Sequence, residues 1–121
     1  MENFRRFEAT DPFGRVWQLE FRWQQNAITI RHSDAVDVKF QIQQGDEATE
    51  KVVAVPHADL VALSRKTGVP LTDAWICRLA GLHLKEMIET DRDMEKTLVT
   101  TTPADLERHS AKLESSSPAR V

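Results

Sequence analysis

The residues of this chain whose chemistry reaches beyond packing are four histidines, one cysteine and a carboxylate-rich connection. His32 ends a strand-like stretch, His57 sits at a helix start, His83 falls inside a long apolar helical pattern and His109 lies near the C-terminus. Metal binding needs several imidazoles or thiolates on one face. No two of these histidines have the i, i+4 spacing that achieves this on a helix, and neither Cys-x-x-Cys nor His-Glu-x-x-His occurs. His83 and Glu86, three residues apart, share a face and offer one ligand site at most. Cys77 becomes a nucleophile only beside a base, and at about 100° per residue it stands about 120° from His83 on a helical wheel. A buried structural thiol is therefore expected.

The remaining polar clusters have simpler readings. Ser33-Asp34 and His57-x-Asp59 suit a turn and a helix start, where such side chains cap backbone groups and meet the helix dipole. Asp91, Asp93 and Glu95 alternate with Arg92 and Met94, as in a solvated connection rather than a calcium loop. The four glycines form no phosphate-cradling motif. No catalytic residue, cofactor or metal is expected from these patterns, and the reading is of a protein that is not an enzyme.

These residues must be positioned by a chain of 121 residues, which suits one domain that folds without a disulfide or metal. The lone cysteine fits a reducing setting. The opening MENFRRFEAT lacks the apolar run of a signal peptide, and no stretch approaches the ~20 apolar residues of a membrane span. A soluble, cytoplasmic protein without membrane contact is expected. The net charge of −3 is spread along the chain rather than gathered in a basic arm. Nucleic-acid affinity arises from unpaired cations that neutralise phosphates, so nucleic acid is a poor fit to this composition.

Strands are expected first. NFRRFEAT carries Phe4 and Phe7 and is closed by Asp11-Pro12-Phe13-Gly14, a type I turn by its residue types. Trp17, Leu19, Phe21 and Trp23 alternate along residues 15–23. A return strand over 27–32 is expected across a Gln25-Asn26 turn, placing Trp23 opposite Ile28 and Phe21 opposite Ile30. Val36, Val38, Phe40 and Ile42 then alternate with Asp37, Lys39 and Gln41. Residues 45–50 read as a polar loop and 51–55 as a fifth strand.

At Pro56 the period changes from two to that of a helix. Residues 56–68 suit a short helix with Gly68 as its stop, and 73–91 a longer one capped by Thr72, with Leu71 and Ile76 as a hydrophobic staple. Residues 94–100 add a possible sixth strand, and Thr102, Pro103 and Asp105 begin a short surface helix. The expected fold is α+β: an antiparallel sheet of four to five strands, six with 94–100, followed by two helices on one of its faces. Residues 1–100 form the single domain, and 101–121 a short C-terminal helix and a disordered tail.

The aromatic row raises the question of whether it binds a ligand. Ile76, Cys77, Leu79, Ala80, Leu84, Met87 and Ile88 form one broad apolar arc on the long helix, which needs a cover. The row supplies it. Burying each of the sheet's ten inward residues contributes roughly 1.5–3 kcal/mol, whereas stacking one base on one aromatic returns about 1–3 kcal/mol. The helix is expected to lie across the row. On the facing side, Glu20–Arg31–Asp37 alternation makes a solvated surface of mixed charge.

Trp75 and Leu82 fall outside the apolar arc, with Leu79 at its edge. Their cover is either the first helix, through Leu60, Val61 and Leu63, or a second copy of the chain. The leading functional expectation is thus a non-enzymatic domain acting through protein association, as a homodimer or an adaptor, with Trp75, Leu79 and Leu82 as interface candidates. One alternative is single-strand nucleic-acid binding through the sheet, with Arg5, Arg6, Arg15, Arg22 and Lys39 on phosphates. Another is a small-molecule or enzymatic pocket between sheet and helices, polar at His32, His57 or His83.

Overall fold

Asp11 shapes the first turn as its residue types require. Its backbone carbonyl accepts from Gly14 N at 3.1 Å and its Oδ1 accepts from Phe13 N and Arg15 N, both at 2.9 Å. Gly14 has φ +83°, a conformation strained for any L side chain. The turn joins β1 (Arg6–Thr10) to β2 (Val16–Ala27) in the computed structural model, which describes residues 5–27 and 34–115. There follow β3 (Ala35–Gln44), β4 (Glu47–Pro56), α1 (His57–Thr67), α2 (Asp73–Thr90), β5 (Leu98–Thr100) and α3 (Pro103–Ser115). Five strands form one mixed sheet in the order β1-β2-β3-β4-β5, antiparallel except for β5, which runs parallel to β4 after the α1–α2 crossover. The class is α+β, with three helices where two were counted within the domain. No helix among the described residues is long and apolar enough to cross a membrane.

The expected turn at Gln25-Asn26 does not occur. Both residues continue β2 and pair with Asp37 and Val36 of β3, so β2 and β3 are direct neighbours. Most of the return strand expected at 27–32, with Ile28, Ile30 and Arg31, lies outside the described residues. The register also shifts between Phe21, opposite Phe40, and Trp23, opposite Lys39. One extra residue, Arg22, makes a bulge and exchanges the faces of all that follows. Trp23 is thereby carried to the outer face, and Gln24 takes the inner position beside Val38, where its Nε2 meets Asp73 Oδ1 at 3.3 Å.

The loop expected at 45–50 is also shorter. Glu47 to Glu50 belong to β4 and pair with Gln44 to Gln41, leaving Gly45-Asp46 as a two-residue turn with Gly45 at φ +61°. Glu47 to Glu50 are all exposed, so polar residues serve as strand here.

The inner face carries the core. Leu19, Val38, Phe40, Val53, Val55, Leu60, Leu79, Leu84 and Ile88 are wholly buried. Phe7 and Phe21 each meet Phe40 edge-on, at 6.1 and 6.0 Å between ring centroids. Trp17 and Phe21 are half-buried against the same cluster. The helices begin and end as their residue types direct: Thr72 Oγ1 accepts from Trp75 N at 3.2 Å, and Gly68 closes α1 at φ +76°. Thr102 and Asp105 exchange bonds between side chain and backbone at the start of α3. That helix was read as a surface element. Its Leu106 and His109 are buried to the same depth as the core of α2. Residues 116–121, read as a tail, lie outside the described residues.

Candidate functional site

Trp75, Leu79 and Leu82 are 6, 0 and 8% exposed in the single chain, which covers them itself. Cys77 is half-buried, and burial pushes its thiol pKa up, as expected of a structural cysteine. His57 is exposed at the start of α1, and His32 lies outside the described residues. Of the five cations nominated for phosphate contact, four are engaged with carboxylates: Arg15 with Asp11 at 2.6 Å, Arg6 and Arg22 with Glu20 at 2.7 and 3.2 Å, and Lys39 with Glu50 at 2.8 Å.

Two places carry chemistry or surface that packing does not consume. The first is the outer face of the sheet. Register places Trp23 beside Lys39, Lys39 beside Val52 and Val52 beside Leu98, a continuous row across four strands. Lys39 Nζ lies 5.5 Å above the Trp23 ring centre. Trp23 is 38% exposed and Leu98 54%, with Val16 also exposed on β2. The bulge creates this row. Periodicity alone had put Trp23 in the core.

The second is a buried histidine pair that the sequence did not join. His83 on α2 and His109 on α3 are 26 residues apart, yet His83 Nδ1 lies 3.1 Å from His109 Nε2, with the rings 5.3 Å apart and edge-on. Each has lost its water to burial, which lowers the pKa of both; the adjacent His83 lowers His109 further, to about 4. Arg108 Nη2 bonds Glu86 at 2.7 Å and Asp105 at 2.5 Å, and its guanidinium holds the Glu86 carboxyl below its ordinary range. At Asp105 burial alone raises the pKa. Hydrogen bonds from Thr102 N, Arg108 and the Thr102 hydroxyl outweigh it and bring the value to about 2. Among the described residues no group of three or more His, Cys, Asp or Glu is arranged to hold a metal ion.

His83 also lines a cavity of about 490 Å³, walled by Arg92, Asp93 and Lys96 after α2, Leu98, Val99 and Thr100 of β5, and Thr102 and Asp105 of α3. Lys51 supports one wall. It is buried on the inner face of β4 and donates through Nζ to Met94 O at 2.8 Å and Lys96 O at 2.5 Å. Burial lowers its pKa, and the nearby Glu95 carboxylate opposes that shift.

No protein-family model matches the sequence, and neither the curated proteins nor the solved structures hold a significant match to the chain.

Proposed function

We propose that this domain acts through protein association, with a second copy of the chain seated on the outer face of its sheet. The observation that carries the reading is the Trp23–Lys39–Val52–Leu98 row on a face against which no helix packs among the described residues. Exposed tryptophan and leucine at the two ends of this row gain most when water is removed from both sides of a contact.

Charge and area favour a second copy as the occupant. The face carries Arg6, Arg22 and Lys39 against Glu8, Glu20, Asp37 and Glu50, so it nearly neutralises itself and does not repel its own image. A two-fold axis through the row brings Trp23 of one chain toward Leu98 of the other. Strands ~4.8 Å apart and rising ~3.3 Å per residue give a face on the order of 600–700 Å² per copy, near the roughly 800 Å² per partner of a standard interface. The same pairing of cations with carboxylates leaves little positive charge for a nucleic-acid backbone.

Sedimentation velocity of the full chain tests the reading. The wild type is expected as a dimer at high micromolar concentration, and the W23A/L98S variant as a monomer with an unchanged circular dichroism spectrum. A wild-type monomer across that range, or a dimer indifferent to the double substitution, overturns it.

A further inference from the structure

We propose that the cavity beside His83 binds a small organic anion that also carries a hydroxyl group. His83 accepts the hydroxyl's hydrogen bond, and Arg92 and Lys96 hold the carboxylate or phosphate. This site shares Leu98 with the association row, but the groups that would bind the ligand, His83, Arg92 and Lys96, are not part of that row and the proposal does not depend on it.

The histidine pair fixes which atom His83 offers. Its Nδ1 is committed to His109 at 3.1 Å, so Nε2 is the ring atom left for a ligand. Glu86 Oε2 lies 4.0 Å from His109 Nδ1, too far for a hydrogen bond, and His109 Nδ1 is buried without a partner. A carboxylate at that range favours an N–H over a lone pair on the facing nitrogen. His109 Nε2 then carries the lone pair and accepts from the His83 Nδ1–H. His83 Nε2 is consequently a bare acceptor in the cavity wall, and its natural complement is an O–H or N–H donor.

The cations line the same cavity. Arg92 and Lys96 are more than half exposed, and their carboxylate contacts are long: 3.8 Å from Arg92 to Glu86, 4.0 Å from Arg92 to Asp93 and 3.4 Å from Lys96 to Asp93. Such exposed, loose pairs contribute little, so a ligand anion can replace them at small cost. The second acid of the lining, Asp105, is committed to Thr102 and Arg108 and does not compete for them. Leu98 and Val99 give an apolar wall, and Thr100 and Thr102 add hydroxyls. Lys51 and the Lys96 N to Asp93 O bond at 3.0 Å hold the 93–96 turn in place before a ligand arrives. The volume lies in the range of ordinary small-molecule pockets and fits a compound of a few carbons with room for water.

Nitrogen-15 spectra of the histidine rings in the full chain provide the test, with glycerate and glycerol 3-phosphate as probes and propionate and propyl phosphate as their hydroxyl-free counterparts. Saturable shifts of the His83 ring with one of the two hydroxylated probes at millimolar concentration or below are expected, and about tenfold weaker binding of its counterpart. Which probe saturates distinguishes carboxylate from phosphate. The R92Q/K96Q variant, altered only at exposed side chains, is expected to bind at least about tenfold more weakly with the ring signals of the free protein unchanged. Absence of saturable change with both hydroxylated probes, equal binding of the hydroxyl-free compounds, or undiminished binding by R92Q/K96Q overturns the proposal.

Discussion

At Asp11 four donors converge on one carboxylate: the amides of Phe13 and Arg15, Arg15 Nε at 2.6 Å and Trp17 Nε1 at 3.0 Å. Burial alone raises this group's pKa, and the four bonds overcome it, bringing the value from 3.8 to about 2. The folded state therefore holds the proton less readily than the unfolded chain. The stability this adds is present above pH 3.8 and is lost as pH falls toward 2. Urea denaturation across that window should show the wild type losing stability steeply, and D11N starting lower and falling less. The turn was legible from Asp-Pro-Phe-Gly. The Trp17 bond was not, because indole and carboxylate meet only after the hairpin forms.

His109 has the same sign in a different window. Its folded pKa is depressed from 6.5 to about 4, so the neutral ring's contribution is complete above pH 6.5 and declines as pH falls toward 4. The urea midpoint of the wild type should drop over that interval, and that of H109Q should drop less. No spacing rule could have joined His83 to His109: the partners sit on different helices, and the relevant angle is set by how α3 packs on α2.

Among the elements, α2 was read closely, from its Thr72 cap to its last turn, because its apolar arc and caps agree. Removing the cap with T72A should cost about 1 kcal/mol, measured by chemical denaturation. The sheet was read less well. The W-x-L-x-F-x-W alternation looks unbroken, and nothing in it marks Arg22 as an extra residue; only pairing with β3 reveals the bulge. Lys51 was unreadable for a related reason, since a lysine in KVVAV suggests the wet face. Register places it instead opposite Phe40 on the inner face, where its charge finds the Met94 and Lys96 carbonyls. K51M should cost about 1–3 kcal/mol by leaving those carbonyls unsatisfied, and amide exchange at residues 95–97 should accelerate.

For the whole molecule, the two-layer arrangement was legible because both the long helix and the strands needed cover of similar size. What escaped was the depth of α3, which carries few apolar residues yet contributes the buried His109 and Leu106 to the interior. The two faces of the sheet now differ in a measurable way. L79A, which opens a cavity in the fully buried layer, should cost about 2–5 kcal/mol, whereas W23A should stay within about 1 kcal/mol by removing a part-exposed ring.

The separation of a sealed inner face from an open outer one is tested most directly by fluorine spectra of the chain labelled with 5-fluorotryptophan. All three indoles report at once, with water exposure read from the H2O-to-D2O shift and from a soluble gadolinium chelate. Trp75 should be unaffected by both, Trp17 intermediate, and Trp23 the most responsive when dilute and progressively shielded as concentration rises. Equal responses from Trp75 and Trp23 in dilute solution would contradict the assignment of faces on which the rest is built.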